Sequence, residues 1–394
     1  MQIIPALGAG GAEQGCIDVA AGLVQAGATS IIVSNGGPRT HDLARSGATH
    51  ITLPVHSKNP FVMWKNIAAI RRLIKAHNVD IVHARSRAPA WSAWRACQGT
   101  GAHFMTTCHA PYNTENSVKN FYNSSIAKGE RVIAISNFVA QYLRDSFGLT
   151  DDVIRIVHNG IPLERFHPTT VTPERMIKVS RQWRLPDGAS VVMMPGRLTR
   201  WKGHHVLIEA MALLDRPDVF CVLIGSDQGR TEYRTELETA IATRGLEGRV
   251  RILDHCDDMP SAYMLSTVVV SASTDPEGFG RVPVEAQAMG RPVIATDHGG
   301  AQETIRRGET GWLIPPNDPA ALAKAMEEAL SLSPQQRAIL ATRAMAHIAE
   351  NFTREQMIDH TLDVYSELLE SRSLHKSGPQ PHPQQQQPPH SAAG

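Results

Sequence analysis

The sequence predicts an α/β protein with two doubly wound parallel sheets arranged in series. Short apolar, β-branched runs alternate with longer segments of helical period along almost the whole chain. The runs are nearly continuous in hydrophobicity, which is typical of strands that are buried on both faces of a sheet. The chain has 394 residues, and a single hydrophobic core stops growing at about 250–300 residues. Two domains are therefore expected.

Twelve apolar runs mark the expected strands, six in each half of the chain. A further, very short strand is expected at Met1, directly before a glycine loop. The runs of the first half are Ser30–Ser34, His50–Leu53, Asp80–His83, Phe104–His109, Val132–Ser136 and Ile154–His158. Those of the second half are Val191–Met194, Val219–Gly225, Val250–Leu253, Val268–Ser271, Pro292–Thr296 and Gly311–Ile314.

The seam between the two halves is predicted around Pro162–Arg184, a stretch that begins polar and rich in proline. We therefore divide the chain into a first domain of residues 1–165 and a second domain of residues 166–353. Residues 354–372 carry an apolar stripe at helical spacing, which predicts an amphipathic helix. Residues 373–394 form a Ser/Gly/Pro/Gln/His tail without hydrophobic periodicity, which predicts disorder.

The composition excludes several function classes. The net charge is +1, so bulk charge indicates neither nucleic-acid nor membrane binding. No uninterrupted apolar stretch approaches the ~20 residues that span a bilayer, and the opening residues lack the basic region of a signal peptide. The cysteines form no C-x-x-C pair, which predicts buried free thiols in a reducing compartment and a soluble, cytoplasmic protein. They are Cys16, Cys97, Cys108, Cys221 and Cys256.

The richest candidate site is the loop that follows the strand Val268–Ser271. Pro283 suits the first turn of a helix, and Gly290 marks the end of that helix. Glu277 is therefore expected in the loop and Glu285 in the first helical turn. Open parallel sheets bind their ligands at this carboxyl edge.

The backbone after Glu277 suits an anion. Two glycines let the chain approach a ligand closely, and the amides of Gly278, Phe279 and Gly280 would form an anion-binding surface with the helix N-terminus. A carboxylate such as Glu285 can accept two hydrogen bonds from a ribose diol. A tight glycine turn with a glutamate that only complements the helix dipole is the alternative, and this loop alone leaves both interpretations open.

A second candidate lies directly after the strand Val191–Met194, in a loop that holds Arg197, Arg200 and Lys202. Such closely spaced cations suit a diphosphate, whose departure builds negative charge that Arg and Lys can stabilise. A solvated basic loop is the alternative. Its position at the ligand edge of the sheet favours the functional interpretation.

Two features of the first half are expected to face the cleft between the two domains. Gly10 and Gly11 open a helix whose N-terminus suits phosphate or sugar, but Glu13 stands where a dinucleotide fingerprint needs its last glycine. His109 ends a strand at the interdomain edge, where a catalytic and a purely structural role both remain open. No Asp-x-Asp occurs in the chain, which argues against a divalent metal that holds a diphosphate.

Together these motifs resemble retaining glycosyltransferases of family 4, which have the GT-B fold of two Rossmann-like domains that face a cleft. The resemblance covers roughly residues 1–370, with the motifs in the same order. It is closest in character to bacterial transferases that build lipopolysaccharide or exopolysaccharide. The motifs are Gly10-Gly11-Ala12-Glu13, Ala134-Ile135-Ser136, Gly196-Arg197…Lys202-Gly203 and Glu277-x7-Glu285 with Gly278-Phe279-Gly280.

The resemblance implies a role for each candidate residue. Arg197 and Lys202 would hold the diphosphate of a nucleoside diphosphate sugar, and Glu285 would hold its ribose. Glu277 would contact the transferred sugar. His109 would contact the sugar hydroxyls or the charge that develops at the reacting centre.

The resemblance also implies the reaction. A hexose would pass to an acceptor hydroxyl with retention at the anomeric carbon. The missing Asp-x-Asp predicts that this transfer needs no metal, and no other cofactor is expected. Gly10 and Gly11 would line the junction of donor and acceptor, and the terminal helix would cross back onto the first domain. The acceptor would be a glycan or a lipid-linked glycan, and no nucleic acid is expected as a partner.

Two other functions share this architecture. A sugar-nucleotide 2-epimerase needs carboxylates that abstract a proton from the sugar, and the Glu277–Glu285 pattern with Arg197 and Lys202 favours transfer instead. A non-catalytic sugar-nucleotide-binding module would not need the full set of candidate site residues.

Two basic and aromatic clusters of the first half are compatible with a peripheral contact with an anionic membrane, at the inner face of the plasma membrane. Basic residues mixed with tryptophans can lay a helix on such a surface. An ordinary amphipathic helix with a solvated basic face is the alternative. The first cluster is Lys58, Lys65, Arg71, Arg72 and Lys75 around Phe61, Trp64, Ile67, Ile70 and Ile74, and the second is Arg85, Arg87, Trp91, Trp94 and Arg95.

Overall fold

A computed structural model describes residues 1–8, 10–112 and 117–376 of the chain. The strands of the first half are β1 (Gln2–Ile3), β2 (Ile31–Ser34), β3 (Thr49–Thr52), β4 (Ile81–Ala84), β5 (His103–Cys108), β6 (Arg131–Ala134) and β7 (Ile154–Ile156). They form one parallel sheet in the order β3-β2-β1-β4-β5-β6-β7.

The strands of the second half are β8 (Ser190–Pro195), β9 (Val219–Ile224), β10 (Val250–Leu253), β11 (Val268–Ser271), β12 (Val293–Thr296) and β13 (Trp312–Ile314). They form a parallel sheet in the order β10-β9-β8-β11-β12-β13. In both sheets the strand order reverses beside the first strand, which is the doubly wound pattern. The predicted fold class is confirmed, and each of the twelve apolar runs overlaps a strand.

Helices cover both faces of the sheets. The first half contains α1 (Gly11–Gln25), α2 (Thr40–Ser46), α3 (Pro60–Ala76), α4 (Arg87–Cys97), α5 (Ser117–Asn123) and α6 (Asn137–Phe147). The second half contains α7 (Pro173–Trp183), α8 (His204–Leu213), α9 (Thr231–Thr243), α10 (Met259–Leu265), α11 (Arg281–Ala288), α12 (Ala301–Thr304), α13 (Pro319–Leu330), α14 (Pro334–Asn351) and α15 (Arg354–Lys376).

The ends of these helices follow from local sequence. The side chain of Asn59 accepts hydrogen bonds from the amides of Phe61 and Val62, and Pro60 occupies the first helical position of α3. Gly148 ends α6 in the left-handed conformation. Asn59 and Gly148 thus satisfy backbone groups that have no partner inside the helix, and Pro60 has no amide hydrogen that would need one.

The two sheets present their carboxyl ends to one cleft. The loop after β11 meets the chain after β5, because Gly278 packs against the backbone of His109. A Cβ added at Gly278 would lie 2.3 Å from the His109 carbonyl oxygen, so only glycine permits this approach.

The last helix, α15, packs against the first sheet. Met357 and Leu368 are buried in a cluster with Val19 of α1, and the Tyr365 hydroxyl lies 2.7 Å from His83 Nδ1. Leu369, which belongs to the predicted apolar stripe, is 44% exposed, so the buried stripe is narrower than the sequence pattern indicates.

The helix also runs further than predicted. It continues to Lys376, so the first four residues of the predicted tail are helical. None of these residues is proline or glycine, and the next helix breaker in the sequence is Gly378. The rest of the tail, residues 377–394, lies outside the described residues, and the domain boundaries at residues 165 and 353 stay predictions.

The cysteines are free thiols. Four are buried, and burial raises the pKa of Cys16 to about 11. Cys256 is only half-buried, contrary to the prediction, because it lies in the loop beyond the edge strand β10. Within the described part of the chain, no helix is both long enough and apolar enough to cross a membrane.

Candidate functional site

The carboxyl edge of the second sheet brings Lys202 and Glu277 together. Lys202 ends a short 3₁₀ turn after β8, and its Nζ donates to Glu277 Oε1 at 2.7 Å. Ser273 Oγ donates to the same oxygen at 2.5 Å. Burial raises the pKa of the Glu277 carboxyl. The Lys202 ammonium and these hydrogen bonds lower it by more than burial raises it, so the pKa lies below its ordinary value. Glu277 is therefore ionised and held in one orientation at neutral pH.

The backbone after Glu277 leaves three amides available. Among the residues that the structure describes, no group accepts a hydrogen bond from the amides of Gly278, Phe279 or Gly280. Gly280 has a φ of 81° and directly precedes the first turn of α11. The Phe279 side chain is buried against Phe352, so any contact of this residue with a ligand falls to its backbone amide. Unpaired amides at a helix N-terminus are a geometry that binds anions.

Glu285 lies in the second turn of α11, not in the first as predicted, because the helix begins at Arg281, two residues before Pro283. Its Oε2 accepts a hydrogen bond from the Tyr263 hydroxyl at 2.8 Å, and its Oε1 accepts one from Arg281 Nη2 at 3.0 Å. Burial first, and then the Glu285 charge, raise the pKa of Tyr263 well above its ordinary value, so the phenol remains a donor. The carboxylate is fixed on two sides.

Of the three cations that the basic loop was predicted to supply, Arg200 is paired outside the site. Arg197 is exposed, and its guanidinium makes no hydrogen bond or ion pair within residues 1–8, 10–112 and 117–376. Arg200 pairs with Glu236 of α9, and its guanidinium lies 5.2 Å from the centre of the Tyr233 ring. That contact draws Arg200 away from Lys202 and toward the next helix.

The first domain contributes His109, Gly10 and Gly11. Gly10 precedes α1 and Gly11 begins it. His109 Nε2 is buried and has no hydrogen-bond partner in the part of the chain that the structure describes. Burial and then the nearby Arg85 charge lower the pKa of His109 to about 3, so the ring is neutral at physiological pH. A neutral imidazole can hydrogen bond with a hydroxyl, but it does not stabilise a developing negative charge as a cation would.

Polar contacts hold the two domains together beside the cleft. Ser136 Oγ donates to the Gly278 carbonyl oxygen at 2.6 Å. The Glu303 carboxylate of α12 accepts hydrogen bonds from the amides of Asn137 and Phe138, both at 2.8 Å, at the N-terminus of α6. The helix dipole favours a carboxylate at this position. The Ser136 bond thus fixes the glycine loop against the first domain, and the Glu303 bonds fix α12 against it.

Several residues of this site were not predicted from the sequence. Arg281 stands four residues before Glu285, and this helical spacing could have indicated their pairing. Ser136 belongs to a motif that the sequence does carry, although its bond to Gly278 was not foreseen. Tyr263 and Glu303 are distant in sequence from the groups that they contact, and no local pattern indicates either contact.

The arrangement suits a ligand that carries both a diol and a negatively charged group. The Glu285 carboxylate can accept from the diol, and Lys202 with the free amides after Glu277 can stabilise the charge. The described residues contain no group of three or more His, Cys, Asp or Glu placed to hold a metal ion.

Comparisons with known proteins show the family to which the two halves of the chain are similar. Residues 176–346 match the model of the family "Glycosyl transferases group 1", and residues 9–165 match "Glycosyltransferase Family 4". The crystal structure of a glycosyltransferase from Rickettsia africae is 38% identical with a TM-score of 0.86, over 93% of this chain and 98% of that chain.

Two further relatives are more distant. The D-inositol 3-phosphate glycosyltransferase of Salinispora tropica is 30% identical over 75% of this chain and 65% of that protein. The Anabaena protein HepE, solved in complex with UDP-glucose, is 24% identical with a TM-score of 0.80, over 93% of this chain and 98% of that chain. The likeness to HepE bears on the fold alone.

Proposed function

The chain belongs to the group 1, family 4 glycosyltransferases and is a nucleotide-sugar-dependent transferase, and on this premise we propose the reaction that it performs. It transfers a hexose from a nucleoside diphosphate sugar to a hydroxyl of a cell-envelope glycan, with retention at the anomeric carbon. The product belongs to lipopolysaccharide or exopolysaccharide assembly.

The observation that supports this proposal most is the Lys202–Glu277 pair, which lies beside free backbone amides. The ammonium is fixed 2.7 Å from the carboxylate, so it is preorganised where charge builds on a leaving diphosphate. Such donors stabilise the transition state without reorganising during the reaction. Arg197 would bind the same diphosphate, and Glu285 would bind the ribose.

In the proposed step, the bond between the anomeric carbon and the β-phosphate oxygen breaks. A bond from that carbon to the acceptor oxygen forms on the same face of the sugar. The acceptor proton passes to the leaving phosphate, so the protein needs neither a nucleophile nor a separate base. Glu277 would orient the sugar, the neutral His109 would hydrogen bond with one of its hydroxyls, and Gly10 and Gly11 would line the donor–acceptor junction.

The test is a product assay with purified protein and a panel of UDP-, GDP-, ADP- and dTDP-sugars, each with and without envelope glycan acceptors. Thermal shift with the free nucleotides selects the base first, because a ligand that binds only the folded state raises its stability. We expect acceptor-dependent product whose anomeric configuration, read by NMR, equals that of the donor. Inversion, or conversion of the sugar without an acceptor, would contradict the proposal.

We propose further that transfer needs no metal. The charge on the diphosphate would be balanced by Arg197, Lys202 and the amides after Glu277. We therefore expect the rate in excess EDTA to stay within about twofold of the untreated rate, since these groups replace the Lewis acid. Loss of activity in EDTA that Mg²⁺ or Mn²⁺ restores would overturn this prediction.

We propose that the reaction takes place at a membrane surface, which the first domain contacts. Phe61, Trp64 and Phe121 are exposed by 62%, 67% and 68%, and all three lie on the first domain. Lys65 Nζ lies 4.4 Å from the centre of the Phe61 ring, and Lys128 Nζ lies 5.7 Å from that of Trp94. Exposed aromatic rings beside lysines suit the interface of an anionic bilayer.

The exposed surface around Phe61, Trp64 and Phe121 contains only part of the two basic and aromatic clusters named from the sequence. Arg85 is 3% exposed and therefore cannot reach a lipid. Ile70 and Ile74 are buried in the core of the first domain. Arg71 Nη2 donates to the carbonyl oxygen of Arg95 at 2.9 Å, so it links α3 to α4.

Co-sedimentation with liposomes tests the contact. We expect more protein on vesicles that contain phosphatidylglycerol than on neutral vesicles, and less at higher salt. The double change Phe61→Ala/Trp64→Ala should weaken binding about tenfold or more, since burial of one such side chain contributes ~1.5–3 kcal/mol. Leu213→Ala is the matched control, because Leu213 is 61% exposed on the second domain. Equal binding to both vesicle types would exclude the contact and favour a soluble acceptor.

A further inference from the structure

Arg281 is a cation of the cleft to which the proposed reaction assigns no role. It is the first residue of α11, directly after the three free amides. Its Nη2 donates to Glu285 Oε1 at 3.0 Å, while Tyr263 donates to the other oxygen of that carboxylate. The guanidinium therefore already bonds to one of the two Glu285 oxygens to which a ribose diol would donate.

The Arg281 side chain also reaches the first domain. A Cβ added at Gly11 would lie 2.9 Å from Arg281 Cδ and 3.4 Å from Arg281 Nη1. Any residue other than glycine at the start of α1 would displace this arginine. Arg281 thus spans from the helix that carries Glu285 to the helix N-terminus on the opposite side of the cleft.

One donor of this guanidinium has no partner within residues 1–8, 10–112 and 117–376. Arg281 Nε is buried there without a group that accepts its hydrogen bond. A buried donor without an acceptor is costly, and such groups are rare in folded proteins. Guanidinium offers five N–H donors in a planar fork, so it can contact a carboxylate and a phosphate at once.

We propose that Arg281 binds the donor diphosphate and that its Nε and Nη1 donate to phosphate oxygens. The proposal rests on the proposed function, because it takes the nucleoside diphosphate sugar as the ligand of this cleft. The ribose hydroxyls then replace Arg281 at Glu285 Oε1. This exchange of Arg281 for the ribose hydroxyls at Glu285 couples recognition of the diphosphate to recognition of the ribose. The charge of Arg281 stays beside Gly11.

The experiment compares Arg281→Gln and Arg281→Lys with the wild-type protein. Each is titrated with UDP and with uridine as competitive inhibitors of transfer, or with the matching pair for whichever base the wild type selects. We expect Arg281→Gln to lower the affinity for UDP about tenfold or more, since the hydrogen bonds that this variant loses are charge-assisted. The affinity for uridine should stay within about twofold of the wild-type value. Arg281→Lys should recover part of the lost UDP affinity because it keeps the charge.

Arg216→Gln is the matched control, since Arg216 is also ion-paired and lies before β9, at the opposite edge of the same sheet. Equal weakening of UDP and uridine would mean that Arg281 only positions Glu285, and it would overturn the proposal. Unchanged affinity for UDP would overturn it as well. A wild-type protein that binds no nucleoside diphosphate would instead refute the proposed function.

Discussion

Lys202→Ala is expected to lower kcat/KM for transfer by about 10²–10³, the usual effect of removing one preorganised donor that stabilises developing charge. In this protein the change has a second consequence. The Lys202 ammonium is the nearest cation to the Glu277 carboxylate, at 2.7 Å, and it lowers the pKa of that buried group. Its loss should therefore also release Glu277 from its fixed orientation.

The measurement is steady-state transfer with the donor varied at saturating acceptor. Lys178→Ala is the control, because Lys178 is an exposed lysine on α7 of the same domain. Thermal unfolding of each variant checks that the fold persists. Turnover by Lys202→Ala within about threefold of the control would remove Lys202 from the proposed mechanism.

Glu285→Ala is expected to lower kcat/KM for the donor by about 10² or more, because two charge-assisted hydrogen bonds to ribose are worth ~1.5–3 kcal/mol each. The loss should appear mainly as weaker binding of the free nucleotide. The same change removes the acceptor of the Tyr263 hydroxyl, so part of the effect can be indirect.

Tyr263→Phe isolates this indirect part, since it removes the hydrogen bond and leaves the carboxylate in place. We expect a decrease of about tenfold or less for Tyr263→Phe. Glu327→Ala, on the surface of α13, controls for loss of a glutamate elsewhere in the domain. If Tyr263→Phe reduces nucleotide binding as much as Glu285→Ala does, the carboxylate has a structural role and does not bind the ribose.

The strands could be predicted from the sequence because their signal is local. A run such as Val268–Ser271 is apolar at every position, and only a sheet covered on both faces can bury all of it. The end of α11 was predicted for a similar reason, since Gly290 adopts a φ of 63° and follows the last turn. Pro283 does lie in the first turn of α11, but Glu285 lies one turn later than predicted, because a proline is tolerated at several positions of the first turn and does not select one.

The site could be predicted only in outline. The sequence located Glu277 and Lys202 at the carboxyl edge of one sheet, but it did not indicate that they pair. It grouped Arg200 with Lys202, although Arg200 pairs with Glu236 on α9. It also left open both roles of His109, whose neutral state depends on burial and on Arg85 in another loop.

The sequence by itself thus determined which segments form strands and at which sheet edge the candidate loops lie, because hydrophobic periodicity and helix caps act over a few residues. Only the tertiary structure decided which charges meet. Arg85 is buried and Trp64 is exposed, although both stand in similar basic and aromatic surroundings in the chain. Burial and ion pairing depend on distances between elements that are far apart in sequence, and these distances exist only once the sheets have packed.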